Sequence, residues 1–233
     1  MANTHSIDLE LGSSQYLSIS DGSQTGLDIT GNLTVEAWIK LESSMNGTVA
    51  SKYDSTGNNQ RSWIFEVNSS DNSLSFFGSS NGSSVNITES VSWTPSLATW
   101  YHVAVSYSTG GDVKFYVNGI QQGATQTTAT LSLFHSAAPF QIGVVNEPPT
   151  GFFDGLIDDV RVWSDVRTVT EIADNKDTED PAGDNLQGNW KLNNDLTDSS
   201  GNGNTLTNNN SAVFSTDVPF SGASTFVPTM TII

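Results

Sequence analysis

The nine residues Leu33–Leu41, LTVEAWIKL, place Leu33, Val35, Ala37, Ile39 and Leu41 on one side and Thr34, Glu36, Trp38 and Lys40 on the other. Alternation with period two marks a β-strand that lays one face on a core, because successive side chains of a strand point to opposite faces. Trp100–Tyr107, WYHVAVSY, repeats it, with Tyr101, Val103, Val105 and Tyr107 opposite Trp100, His102, Ala104 and Ser106. Further strands are expected at Ser6–Leu11, Tyr16–Ile19, Gly47–Tyr53, Trp63–Asn68, Ser73–Gly78, Val113–Val117, Phe140–Val144, Gly155–Trp163 and Gln187–Leu192. Turn signals separate them. Asn118-Gly119 predicts a type I′ hairpin, since both central residues of that turn need positive φ.

One segment reads as a helix. Thr168-Val169-Thr170-Glu171 fits a capping box, predicting a short helix of about Val169–Ala173 that Pro181 keeps from extending. Asp174–Asp184 is a polar, acidic connector whose length fits a return crossing. The most informative strand is the one before it, Phe153–Trp163, FDGLIDDVRVW, which sets Asp158 and Asp159 among β-branched and aromatic residues. A carboxylate in such a strand needs a cation, a hydrogen-bond network or solvent, because an unpaired buried charge is costly.

The chain has 25 acidic residues against 8 lysines and arginines, a net charge of -17. Such a charge repels phosphate backbones and argues against nucleic-acid binding. With no cysteine, disulfides, thiol catalysis and cysteine-bound zinc are excluded. No apolar run approaches the ~18 residues of a membrane span. MANTHSIDLELG lacks the basic and apolar regions of a secretory signal. The expectation is cytoplasmic synthesis, followed by residence there, release by another route to the extracellular space, or incorporation at a virion surface.

Four segments in order resemble the laminin G-like, concanavalin A-like jelly-roll family, including its pentraxin-like subset. They are YLSISDGSQTGLDITGNLTVEAWI (16–39), TWYHVAVSYSTGGDVKFYVNG (99–119), DGLIDDVRVWSDVRTVTEI (154–172) and NWKLNNDLTDSSGNGNTL (189–206). The resemblance implies an all-β fold, a two-sheet antiparallel jelly-roll sandwich with one short helix near residues 168–174. Many short strands and turns fit that architecture. Residues 1–210 are expected to form one domain. Residues 211–233, ending TFVPTMTII, are expected to be a last strand or a docking arm for other protein subunits of a particle.

Members of this family include glycosidases with glutamate, aspartate and glutamate closely spaced on one strand. Retention of configuration needs two carboxyls about 5 Å apart. Here Glu66 and Asp71 are separated by a turn, and Asp154, Asp158 and Asp159 lack glutamate. His5, His102 and His135 are not accompanied by a G-x-S-x-G elbow. The expectation is a non-catalytic adhesion or glycan-binding module, with a particle-surface structural protein as the alternative and a hydrolase or lyase as the weakest reading.

The resemblance also implies calcium, a cation that takes six to eight oxygen ligands. The candidate set is Asp21 with Asp158 or Asp159. Asn146 and Glu147 are a pentraxin-like option whose continuation, Pro148-Pro149, departs from that pattern. Asp198, Asn202 and Asn204 in DSSGNGN are another option, with turn capping as the competing reading. For a glycan or cell-surface polysaccharide, KYDSTGNNQRSW offers Tyr53, Asp54, Asn58, Asn59, Gln60, Arg61 and Trp63, and Trp93 is a further candidate platform. Asn32, Asn46, Asn68, Asn81 and Asn86 head N-x-S/T triplets, which an Asn/Ser/Thr-rich composition also produces.

Overall fold

The computed structural model describes residues 3–42, 47–57, 59–68, 71–146 and 148–220. In chain order its strands are β1 (Ser6–Leu9), β2 (Tyr16–Ile19), β3 (Leu33–Leu41), β4 (Gly47–Asp54), β5 (Gln60–Asn68), β6 (Ser73–Gly78), β7 (Ile87–Ser92) and β8 (Trp100–Tyr107). There follow β9 (Asp112–Val117), β10 (Ile120–Thr127), β11 (Phe140–Ile142), β12 (Gly155–Trp163), the helix α1 (Val169–Asn175), β13 (Leu186–Trp190), β14 (Thr207–Asn209) and β15 (Val213–Ser215). They form two antiparallel sheets. One runs β10-β9-β8-β3-β12-β1-β15, with β13 also paired to β12; the other runs β14-β2-β11-β4-β5-β6-β7. This is the expected jelly-roll sandwich.

Alternation decides which residues meet between the sheets. Val35, Ala37 and Ile39 of β3 and Val103 and Val105 of β8 face inward, toward Trp63 and Phe65 of β5 and Phe140 of β11. Trp190 stacks on Phe140 at 4.8 Å and 16°, and its indole N–H donates to Asn204 O at 2.7 Å. The DSSGNGN turn is thereby tied to the core. Asn118 and Gly119 take φ of 52° and 78°, as a type I′ turn requires, and join β9 to β10.

The sequence does not single out β7, β10, β14 and β15. Strands β7 and β10 are the outer strands on one side of the sandwich, and β14 and β15 lie at the other ends of the two sheets. An end strand needs little apolar patterning, and ITESVS and IQQGATQT have little. The predicted capping box is present, with Thr168 and Glu171 bonded reciprocally. Helix α1 buries Ile172 against Ala104 and Tyr116 and runs two residues further than expected.

The two outer faces differ. Helix α1 and residues 176–180 cover the eight-stranded sheet: Trp38 Nε1 donates to Lys176 O at 2.6 Å, and Asn189 Nδ2 to Glu179 O at 3.1 Å. Residues 211–220, in the segment expected to be a last strand or a docking arm, lie along their own domain. Strand β15 pairs with β1, Asp217 accepts from Trp100 Nε1 at 2.8 Å and pairs with Lys40 at 2.5 Å, and Phe220 packs on Trp38 at 5.9 Å. This stretch docks on its own domain because the strand edge and the apolar partners lie within reach; residues 221–233 fall outside the described residues. The outer face of the seven-stranded sheet instead carries one continuous row: Thr207, Ser18, Gln141, Ser51, Ile64, Phe77 and Thr88.

A Cβ on Gly155, at φ +134°, would come within 2.2 Å of Lys40 O. Gly155→Ala is therefore expected to destabilise the fold by about 1–3 kcal/mol from backbone strain alone. Gly12 has nothing within 4 Å of such an atom, and Gly12→Ala should stay within roughly 0.5 kcal/mol of the parent. Urea denaturation of the two variants measures the difference.

Candidate functional site

A β-bulge explains how β12 accommodates two adjacent aspartates. The register against β3 shifts between Asp158 and Arg161, and Asp159 takes φ 46°. The extra residue lets Ile157 and Val160, three apart, both reach the core while the carboxylates avoid it. Asp158, Asp159 and Arg161 are nevertheless at most 1% exposed.

Arg161 organises the layer beneath α1. Its Nε donates to Asp159 Oδ1 at 3.1 Å, its guanidinium pairs with Asp159 Oδ2, and it also donates to the carbonyls of Asn175 and Thr178. Glu36 lies 3.6 Å from the same guanidinium and accepts from Trp163 Nε1 at 2.8 Å. His102 Nε2 stands 3.3 Å from Glu36 Oε2. Burial acts to raise the Glu36 carboxyl, but the His102 ring, the Arg161 charge and the indole N–H together hold it down at about 2. Burial lowers His102, against the pull of Glu36. Burial, reinforced by Glu36 and Glu179, lifts Asp159 to about 6 against the opposing Arg161.

Asp158 sits apart from that ion pair. Its Oδ2 accepts from Asn3 Nδ2 at 2.7 Å and its Oδ1 from the Asp159 amide at 2.8 Å. Burial pushes its carboxyl well above the usual carboxylate range. Three further oxygens in this layer are buried without a hydrogen-bond partner: Asn3 Oδ1, Glu179 Oε2 and Asn189 Oδ1. Hydrogen bonds link their residues. Asn193 Nδ2 donates to Glu179 Oε1, Asn193 Oδ1 accepts from the Thr4 and His5 amides, and Asn189 bonds the Glu179 carbonyl. Carboxylate and amide oxygens without donors are the ligands that a hard cation takes, and stranding them unpaired is costly. Asn3, Glu179 and Asn189 thus fit calcium in donor chemistry, beside Asp158, whose two oxygens already accept hydrogen bonds. Neither Asn3 nor Glu179 stands out in the sequence; only Glu179's place in an acidic connector offered a signal.

Other expected ligands require correction. Asp21 does not join Asp158 or Asp159. It follows β2 in the seven-stranded sheet and pairs with the Lys52 ammonium at 2.8 Å, which also holds Asp28 at 2.9 Å. Lys52 lies opposite the core residues Phe140 and Trp63, so this cluster sits at the inner margin of the sandwich, away from the outer layer around Asp158. Asp159 is committed to Arg161. Asn146 Oδ1 is taken by Ser55, and Glu147 lies outside the described residues. Both Asp198 oxygens accept bonds from neighbouring amides or Ser200, and Asn204 bonds both Thr25 main-chain groups. DSSGNGN is a turn clasp. Asn202 belongs to the same clasp, donating to Gln187 O at 3.0 Å.

The expected glycan residues are only partly assembled. Tyr53 is 8% exposed and packs with Ile64, Val145 and Phe77, with Arg61 5.9 Å over its ring. Asp54 is turned back onto Thr56. Exposed Asn59 lies 3.5 Å from Arg61, Gln60 Oε1 accepts from the Ala137 amide, and Asn58 lies outside the described residues. Trp63 is core. Trp93 stands edge-on to Tyr101 at 5.2 Å and packs against the core, far from a free platform. Among the remaining tryptophans, Trp38, Trp163 and Trp190 are buried, and Trp100 is bonded to Asp217.

Glu36 gives a pH prediction. Its carboxyl is depressed from 4.5 to about 2 in the fold, so its contribution is full above pH 4.5 and drains away as pH falls toward 2. That shift corresponds to roughly 3 kcal/mol. Glu36→Gln, which strips Arg161 and Trp163 of a charged partner, should cost about 3–5 kcal/mol at neutral pH and flatten the acid limb of the stability profile, as read by thermal melts between pH 2 and 7.

The comparisons agree with this geometry. The profile of the Laminin_G_3 family, the concanavalin A-like lectin/glucanases superfamily, matches residues 11–173. A crystal structure of a Bacteroides ovatus protein, provisionally described as carbohydrate binding, superposes with a TM-score of 0.73 at 22% identity, covering 96% of this chain and 62% of that one. The chain therefore spans less than two thirds of that protein. The native heptameric SAP-like pentraxin of Limulus polyphemus superposes with a TM-score of 0.65 at 19% identity, covering 93% and 97% of the two chains. No curated protein matches the sequence. By the extent of its profile match and by its two-sheet architecture, the chain belongs to the concanavalin A-like lectin/glucanases superfamily.

Proposed function

We propose that the chain is a non-catalytic glycan-binding module that uses the outer face of its seven-stranded sheet and holds one structural calcium ion in the Asp158 cage. The observation that carries the binding reading is the asymmetry of the two outer faces. Helix α1, residues 176–180 and the 213–220 strap occupy the eight-stranded face; on the other, residues 144–146 close over Gln141, Ser51 and Ile64 at the middle of the row, and its two ends are open, Thr207 and Ser18 on one side and Phe77 and Thr88 on the other. Pockets for sugars combine apolar surface with a few placed polar groups. The description of the Bacteroides ovatus protein supports the same reading.

Catalysis finds little support on that face. Glu66 accepts from Asn68 Nδ2 at 3.2 Å and burial raises its carboxyl. Asp71 lies beyond the end of β5 and is bonded to Ser73. Two carboxyls of a glycosidase must flank one bond from fixed positions, and these two do not share a strand.

Calcium would neutralise the Asp158 layer and tie β12 and β13 to the N-terminal segment and the connector. A ligand bound by the folded state alone stabilises by about 2.7 kcal/mol at a hundredfold its Kd, so calcium should raise the melting temperature by roughly 5–10 °C. Asp158→Asn should abolish that rise. A melting temperature indifferent to both calcium and chelator would mean that a proton on Asp158 satisfies the layer instead.

The binding reading predicts retention on at least one polysaccharide in affinity electrophoresis, with no release of reducing ends. Turnover abolished by Glu66→Gln would replace it with a hydrolase.

A further inference from the structure

Tyr16 and Phe152 form a half-exposed aromatic pair, with ring centroids 6.2 Å apart and planes tilted by 58°. Both point away from the core, since their neighbours Leu17 and Phe153 point into it. Neither ring belongs to the main core or to the Tyr53 cluster on the same face. Directly opposite Tyr16 on β14 is Asn209, and opposite Ser18 is Thr207. Asn209 Nδ2 donates to Ser18 Oγ at 2.9 Å and to Thr207 O at 3.2 Å, which fixes the amide plane beside the tyrosine.

Charge on the chain is one-sided, at a net -17. Asp8, Glu10 and Glu42 have carboxylate oxygens within 4.8 Å of one another; burial and then Asp154 raise Asp8, and burial, Asp8, Glu10 and Asp154 raise Glu42. Asp8 shares a row with Leu156 and Lys40 on the outer face of the eight-stranded sheet, and the main chain ties the cluster to the segments that carry the rings. The Glu10 amide donates to Gln15, the residue before Tyr16, and Asp154, two residues after Phe152, accepts from the Leu11 amide at 3.2 Å. Lys40, the cation acting on Asp8 and Glu42, is itself paired with Asp217. Arg61 lies over Tyr53, and Lys52 is directed to the inner margin.

We propose that Tyr16 and Phe152 are a stacking platform for an uncharged pyranose unit, with Ser18, Thr207 and Asn209 hydrogen-bonding its hydroxyls; this rests on the glycan-binding reading above. The electron-rich faces of aromatic rings attract the electropositive C–H face of a sugar, and nearby amide and hydroxyl groups fix its orientation. The chain's net charge of -17 repels uronic and sulfated polymers, an interaction that salt screens.

The test is affinity electrophoresis of the full chain in gels containing laminarin, xyloglucan, galactomannan or dextran, and in parallel polygalacturonate or alginate. The wild type should be retarded by at least one uncharged polymer and by neither charged one. Tyr16→Ala and Phe152→Ala should each weaken that binding at least about tenfold, as truncation of a contact residue does, while Gln121→Ala, on β10 at the far end of the other sheet, leaves it unchanged. Thermal melts establish that each variant is folded, and Asn209→Ala serves as the second probe if an aromatic variant is not. Wild-type binding in the folded variants overturns the platform and leaves the glycan reading standing. Preferential binding of alginate or polygalacturonate overturns the ligand class. Failure of the wild type to bind any of the six polymers overturns the glycan reading and the platform with it.

Discussion

The contact on which most of the outer architecture depends is the Arg161 guanidinium. It neutralises Asp159 inside the bulge of β12, approaches Glu36 on β3, and donates to two carbonyls of the segment that leaves α1. One planar cation thus joins two strands to the layer above them. Arginine suits the position because its five donors spread in a fixed fork; a lysine would offer one compact charge. Isolated buried ion pairs add little net stability. What this one secures is arrangement: without Arg161, Asp159 and Glu36 would lose their shared cation, and the covering segment would lose its anchor in the sheet.

The bulge also connects packing to chemistry. A regular strand would send either Asp158 or Asp159 into the core, where neither could be solvated. The extra residue restores Val160 to the interior and leaves Asp158 turned toward Asn3, Glu179 and Asn189. Charge density there exceeds what the protein's own cations balance. The same surplus recurs at Asp8, Glu10 and Glu42 on the eight-stranded sheet and its margin, where Lys40 offsets part of it.

Much of the fold was legible in the sequence, and the reason is physical. The boundaries of β2, β3, β6, β8 and β12 follow directly from two-sided alternation, and α1 from its capping box. Strands at the sheet ends escaped notice because their outer edge has no partner to impose a pattern. The site was far less legible. Pairing Asp21 with Asp158 or Asp159 rests on the family fold bringing the first turn near the late strand, whereas a buried lysine claims Asp21. Asn3 and Glu179 are brought to Asp158 by chain crossings, which local spacing does not encode. Tyr53 and Trp93 looked like sugar platforms because they are aromatic and flanked by turns, yet Ile64, Val145 and Tyr101 supply apolar cover. Tyr16 sits in an ordinary alternating strand, and its ring matters only because the return from β11 sets Phe152 beside it.

The strap from Val213 to Phe220 has a further consequence for orientation. It runs from the β1 edge over Lys40 and Trp100 to Trp38, so the described chain leaves the sandwich on its back. Whatever load or tether acts on the chain at that point pulls from behind. The strap and the outer face of the seven-stranded sheet thus lie on opposite sides of the sandwich.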